Sequence, residues 1–358
     1  MLISLSSQGG CQKVNRMKIL YLGPTEGTAI QRIKALRRLG HDVTVVDPHL
    51  GRFVPLIPER LIDAWCFRTG AIGVEWLVER YVAKQIGNTT FDVAFVDHGD
   101  LLNASCIAHL KTLAKVVVNY NQDNPYVPRD KGRWRVFLTA LPLYDLIATH
   151  RVSSANSAAR AGAKRVLLTR EAADEAVHRP IELSGEDLAR FSSKVAFVGT
   201  WMPERGPIML RLIERGVPLR IYGPRWQKAP EYEQLRSHVV LGELKGDDYV
   251  KAIRGASIAI GLLSKGNEDL HTTRSFEIPA IGTLFCAERT SDHLEMYKDG
   301  EEAVFFDTVD ECADLCLSLL KHPDRIKEIA DAGLKRVHQN GDFNEKLVTK
   351  IIDAALKG

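Results

Sequence analysis

The sequence has no apolar run approaching ~18 residues, which excludes a helix long enough to span a membrane. Its opening sixteen residues are polar and carry no apolar core of the signal-peptide kind, so 1–16 is expected to be a disordered extension. Cysteine is sparse and scattered, at Cys11, Cys66, Cys106, Cys286, Cys312 and Cys316. Only Cys312 and Cys316 stand close, on one expected helix, and no histidine or third cysteine accompanies them in the sequence. Core packing is the expectation for that pair, and a reducing, cytoplasmic setting for the chain. A dominant charge is also missing: 48 basic against 45 acidic residues leave +3, too little to argue for nucleic acid as a partner. Two fingerprints are absent as well. No Gly-x-Gly-x-x-Gly follows the first strand-like run, and Asp97 and Asp100 stand too far apart for an Asp-x-Asp metal motif.

What the sequence does have is the same plan written twice. With 358 residues, two domains are expected. In the first half, runs rich in Val, Ile and Leu at 18–22, 43–47, 92–97, 115–120, 145–149 and 165–169 alternate with amphipathic stretches such as 29–39 and 74–85. The runs show no strict alternation, as expected of strands covered on both faces. After a polar joint around Arg179-Pro180 the pattern restarts, with strands expected at 194–198, 219–222, 239–241, 257–262, 283–286 and 303–306. Two closing helices follow, at 323–339 and 343–356. The reading is an α/β fold of two doubly wound parallel-sheet domains, 17–180 and 181–342, with a ligand cleft between the carboxyl ends of their sheets.

The segments just past the strands hold the candidate site. Gly23 to Thr28 is a glycine turn between the first strand and a helix, where backbone can approach a ligand. The run Gly199-Thr200-Trp201 to Arg205-Gly206 repeats the device in the second half and would send Arg205 toward a phosphate. His98, in Asp97-His98-Gly99-Asp100, and Asp123, in Asn121-Gln122-Asp123-Asn124, are acid–base or substrate-binding candidates, with Asx turns as the plain alternative. Arg129 to Arg135 is a basic run that reads as a solvated loop, or as a seat for an anionic or lipid-linked acceptor. Arg32, Lys34, Arg37 and Arg38 flank an apolar stripe that reads as an outer helix, or as a contact with a membrane surface.

The richest stretch is Ser264 to Thr283. Asp269 and Glu277 lie eight apart, and a helix is expected to open between them on His271, Thr272 and Thr273. Carboxylates on its first turns, hydroxyls at its cap and free amides make a site for a phosphorylated sugar or nucleotide. Arg274 suits a diphosphate.

The runs Phe197-Val198-Gly199-Thr200, Ile221-Tyr222-Gly223, Val240-Leu241-Gly242 and Arg274-Ser275-Phe276-Glu277-Ile278-Pro279-Ala280-Ile281-Gly282 resemble glycosyltransferases of the GT-B fold. The resemblance is to the group 1 type and its spore-maturation CgeB-like branch, over about residues 194–340. It implies two Rossmann-like domains, an acceptor domain first and a nucleotide-sugar donor domain second, with residues 343–358 returning to the first. The stripe Phe343, Leu347, Ile351, Ala354 and Ala355 would serve that return. Of the family's two spaced glutamates, the second matches Glu277, which the resemblance makes a ribose ligand. Asp269 stands at the first. The resemblance also puts Arg205 on the diphosphate, the turn at Gly242 on the base, and Gly23, Thr200 and Arg274 among the nucleotide contacts. It implies no metal and no cofactor beyond a nucleotide-diphosphate sugar as substrate. The acceptor is left open among glycan, lipid-linked glycan, small molecule and protein, and the setting is the cytoplasm with peripheral contact at the inner membrane face. Two other functions stay open: a sugar-nucleotide epimerase and a non-catalytic nucleotide-sugar-binding protein.

Overall fold

Successive residues of the central strands are buried on opposite faces, and this organises both halves of the computed structural model, which describes residues 16–50 and 58–357. The first sheet contains β1 (Lys18–Leu22), β2 (Asp42–Val46), β3 (Phe91–Asp97), β4 (Ala114–Asn121), β5 (Leu146–Thr149) and β6 (Val166–Leu168). All pairs are parallel, in the order β2-β1-β3-β4-β5-β6. The second contains β7 (Ser193–Val198), β8 (Leu219–Gly223), β9 (Val239–Leu241), β10 (Ala256–Gly261), β11 (Leu284–Glu288) and β12 (Val304–Phe306). These are parallel too, ordered β12-β11-β10-β7-β8-β9. Each expected strand is found, with ends shifted by one or two residues. The extension at 1–16 and Cys11 fall outside the described residues, apart from Arg16.

Helices α1 (Gly27–Arg38), α2 (Glu59–Thr69), α3 (Glu75–Ile86), α4 (Ala104–Leu113), α5 (Arg135–Ala140) and α6 (Val152–Arg160) accompany the first sheet. The second carries α7 (Gly185–Phe191), α8 (Arg205–Glu214), α9 (Tyr232–Leu235), α10 (Asp247–Arg254), α11 (Arg274–Ile281), α12 (Ser291–Met296), α13 (Val309–Leu319) and α14 (Pro323–Asn340). The last helix, α15 (Asn344–Leu356), leaves the second domain. Its Leu347, Val348, Ile351, Ile352 and Ala355 pack with Tyr21, Ile33, Leu36 and Val118 of the first. Phe343, one residue earlier, packs instead with Phe276 and Phe285 of the second. No helix among the described residues is long and apolar enough to cross a membrane.

Two chain crossings therefore lie side by side at the joint. The Ala173 amide donates to the Asp342 carbonyl (3.1 Å), and the Asn344 amide donates to the Ala173 carbonyl (2.9 Å). Arg38 ties the joint to α1 through Asp174 (3.0 Å), Glu175 (2.8 Å) and Glu345 (2.6 Å).

Three expectations are corrected here. Arg32 does not flank a membrane-facing stripe: it is buried, 2.7 Å from Asp97, and the apolar face of α1 is covered by α15. The basic run is only in part the expected solvated loop: Arg129, Lys131 and Arg135 are exposed, but Arg129, Arg133 and Arg135 are engaged with Asp123, Asp130, Asp100 and Glu75. Cys312 and Cys316 do have a third thiol beside them. Cys286 comes from β11, and the three Sγ atoms lie within 4.8 Å of one another in the second core. A distant residue in sequence was brought there by the sheet, which spacing along the chain cannot show.

Candidate functional site

The carboxyl ends of both sheets face each other, and the segments leaving them meet across the gap. Asn124, after β4, donates through Nδ2 to the Asn267 carbonyl and to Glu268 Oε2, both at 3.3 Å. Arg129 Nη1 donates to Ser264 Oγ at 3.3 Å. At the opposite end Lys245, in the turn after β9, is 4.0 Å from Glu26.

On the second domain the turn between β7 and α8 is set by two glycines. A Cβ on Gly223, whose φ is +151°, would stand 2.1 Å from the Gly199 carbonyl oxygen. That approach fixes Thr200, whose carbonyl accepts from Arg205 Nη1 at 2.8 Å. Arg205 is only 8% exposed, lies over the Phe197 ring at 5.4 Å and leaves Nε without a hydrogen-bond partner. Among the described residues no carboxylate comes within ion-pair distance of it. Burial, reinforced by the Arg274 cation, lowers its pKa to about 10. A buried guanidinium without a counter-charge is costly, and an anion arriving beside it would remove that cost.

Arg274 opens α11. Its guanidinium covers the Tyr249 ring at 5.3 Å, touches Thr273 Oγ1 at 3.0 Å and stands 3.9 Å from Glu277. Glu277 is buried, bonded to the Tyr249 hydroxyl, with His178 Nε2 at 3.7 Å. His178 Nδ1 accepts from the Asp174 amide, so its proton sits on Nε2 and faces Glu277. Two features of the expected helix are corrected. It starts at Arg274 rather than on His271. Thr273, at the cap, has helical dihedrals and makes no capping bond, because its hydroxyl serves Arg274.

Asp269 belongs to the interface. Arg151, just past β5, holds it through Nε at 2.8 Å and through Nη2, and its carboxyl stays below the usual carboxylate range despite burial. His150 Nε2 is 3.9 Å from both Asp269 and Glu171. Burial pushes the Glu171 carboxyl up to about 8, with the Asp269 charge adding to it. Burial also lowers His150 to about 4.

On the first domain, His98 has φ +66° and sits between two carboxylates, 3.0 Å from Asp97 and 3.9 Å from Asp123. Burial pulls its pKa down, but Asp97 outweighs this and the net shift is upward. Asp123 is half-buried, and His98, Arg133 and Arg129 outweigh that burial and hold it at about 2, so it stays ionised and cannot act as a proton donor near neutrality. Asp97 is locked by Arg32, with Nε at 2.8 Å, and by the Tyr21 hydroxyl. The close approach that requires glycine at 23 is to Asp97: a Cβ there would lie 2.8 Å from the Asp97 Cβ. Gly242 has φ +109° in an exposed turn with open space around its Cα.

Arg205, Arg274, Glu277, Thr200 and Asp269 converge on one side of the gap, and His98 and Asp123 stand on the other. Sequence reasoning missed Arg151, His150, Glu171, His178 and Tyr249. The first two directly follow β5, so the strand-end rule that selected His98 and Asp123 applies to them equally. Tyr249 lies in the first turn of α10, away from any strand end, and carries no such signal.

Two six-stranded parallel sheets facing a cleft across a double crossing define the GT-B fold. Residues 205–351, less than half of the chain, match a family model described as glycosyl transferase-like. Among solved structures, sucrose-phosphate synthase from Thermosynechococcus elongatus is similar at TM-score 0.67 and 11% identity, covering 96% of this chain and 100% of that one. Alr3699/HepE of Anabaena, in complex with UDP-glucose, is similar at TM-score 0.62 and 13% identity, with coverage of 96% and 100%. A UDP-forming α,α-trehalose-phosphate synthase from Burkholderia xenovorans gives 0.61 and 11%, with coverage of 96% and 99%. No curated protein sequence matches the chain significantly. The matched segment is glycosyl transferase-like, and the fold is shared with these structures.

Proposed function

We propose that this chain transfers a sugar from a nucleoside diphosphate donor, without a metal, to a hydroxyl of an acceptor. The observation that carries the proposal is Arg205, buried beside Arg274 with no carboxylate partner. A diphosphate fits that deficit. As the bond from the sugar to the β-phosphate breaks, negative charge grows on the leaving group, and the two guanidinium groups with the amides opening α8 are already arranged to receive it. This gives the site the charge that a metal supplies elsewhere. Glu277, buried 3.9 Å from Arg274, suits a ribose diol, and the Gly242 turn an exposed base edge. His98 and Asp123 face the reacting centre from the other direction, and Asp269 stands on the donor side.

The likeness to structures whose titles include UDP-glucose and UDP-forming synthesis supports UDP as the first nucleotide to try. The Arg-x-Phe-Glu-x-x-Ala-x-Gly run supports a place in the CgeB-like branch, and the five unpaired thiols among the described residues fit a cytoplasmic setting. Calorimetric titration with UDP and with uridine tests the core of the proposal. Binding of UDP much tighter than uridine, unaltered by a chelator, is expected. Equal affinities, or UDP binding that requires magnesium, would remove it.

A further inference from the structure

A cavity of about 670 Å³ lies at the joint and is not lined by Arg205, Arg274 or Glu277. Its walls come from the strand ends after β5 and β6, from both chain crossings and from the loop that carries Asp269. The size suits a small organic ligand. Several of its lining residues carry buried polar atoms without hydrogen-bond partners. His150 is 4% exposed with both ring nitrogens unpartnered, Arg151 Nη1 is likewise unpartnered, and so is Asp342 Oδ2. Buried polar atoms without partners are rare and call for a ligand or water.

The pattern says which kind. A neutral imidazole offers one donor and one acceptor, the guanidinium edge a donor, and the carboxyl an acceptor, which together match hydroxyl groups. The guanidinium groups of the cavity are already matched by acids, Arg151 by Asp269 and Arg170 by Glu295 at 2.6 Å, and the His271 ring bonds Asp292 at 2.6 Å. Lys346 and Lys350, at the rim, donate to the carbonyls of Asn340 and Leu168. A strongly anionic ligand would have to break these pairs, whereas an uncharged polyol would not.

We infer that this cavity is the acceptor site and that the acceptor presents an uncharged saccharide end, its hydroxyls held by His150, Arg151 and Asp342. The inference rests on the donor reading above, because the cavity is an acceptor site only if the donor diphosphate lies at Arg205. Asp269, between the lining residues Glu268 and Leu270, then stands between the two ligands.

Saturation-transfer NMR on the full chain tests this, with glucose, galactose, mannose, N-acetylglucosamine and maltose as probes, glucose 6-phosphate as the charged comparison, and UDP as the donor-site control. At least one neutral sugar is expected to bind in the presence of saturating UDP. His150→Phe should weaken it by about tenfold or more while leaving UDP affinity unchanged. Ser153→Trp, an exposed rim residue filled with a large ring, should do the same without touching the core. Overturning results are no binding by any neutral sugar, displacement of the sugar by UDP, tighter binding of glucose 6-phosphate than of glucose, or indifference to both variants. Each of these leaves UDP binding as it was and so spares the donor reading. Sugar capture persisting in a protein that fails to bind UDP would instead strike the donor reading, and the acceptor role with it.

Discussion

Arg151 Nε stands 2.8 Å from Asp269 Oδ1, so a side chain at the end of the first sheet holds the carboxylate that begins the binding loop of the second domain. Both side chains are almost wholly buried, at 4% and 6% exposure. The pair fixes the loop leading to α11, and with it the placing of Arg274 and Glu277.

Breaking such a pair leaves an uncompensated buried charge. Asp269→Asn is expected to lower stability by ~3 kcal/mol, and Arg151→Met by a similar amount. The double variant Arg151→Met with Asp269→Leu should recover most of the loss. A double-mutant cycle by chemical denaturation checks this, and additive losses would show that the pair is not coupled.

The Glu171 carboxyl gives the fold a pH dependence. Its folded pKa of about 8 lies above the ordinary carboxylate value, so folded protein holds a proton that unfolded protein has lost, and this stabilising difference disappears as pH rises toward 8. His150, lowered to about 4, acts in the opposite sense between 4 and its ordinary value, adding stability as pH rises there. The two offset each other up to about pH 6.5, and only Glu171 acts from there to 8. Wild type should lose about 2 kcal/mol across that upper window relative to Glu171→Gln, which keeps the neutral shape. The Gln122 Nε2 contact at 3.1 Å is retained by that variant. Parallel stability curves for the two proteins from pH 6.5 to 8 would contradict the assignment.

Two glycines with positive φ should respond differently to alanine. At Gly223 the added methyl would stand 2.1 Å from the Gly199 carbonyl, whereas at Gly216, with φ +84°, nothing lies within 4 Å. Gly216→Ala should cost about 1 kcal/mol for the backbone conformation alone. Gly223→Ala should cost roughly 3 kcal/mol or more and also weaken UDP binding, because the turn that holds Thr200 and Arg205 must move. Thermal melts with and without UDP distinguish them.

Removing residues 344–358 should damage the first domain rather than the second. The helix covers Tyr21, Ile33, Leu36 and Val118, all belonging to the first domain. Circular dichroism and protease digestion of the truncated chain should show the segment before Arg179 becoming labile while the second core persists. Equal protection of both halves would argue that α15 is dispensable.

Much of this was readable in advance because each strand is a local apolar run and each sheet end follows directly from it. The twelve strands, the restart near Arg179 and the grouping of Arg205, Arg274 and Glu277 came from that rule. What escaped it depends on partners far apart in the chain. Arg32 looked like one cation on an amphipathic helix, and only the β1–β3 pairing brings Asp97 beneath it. Cys286 joins Cys312 and Cys316 through the sheet, and Arg151 reaches Asp269 through the docking of two domains. Helix capping at Thr273 failed because a neighbouring guanidinium competed for the hydroxyl.

The donor site stands or falls on Arg205. Titrating wild type and Arg205→Ala with UDP and with uridine, while recording the melting temperature of each unliganded protein, tests it most directly. The account predicts that the variant loses UDP affinity by about ten- to a hundredfold, a charge-assisted contact of ~1.5–3 kcal/mol, while uridine binding is unchanged and the unliganded protein is no less stable. Unchanged UDP affinity together with a lowered melting temperature would show Arg205 to be a structural residue and would contradict the account.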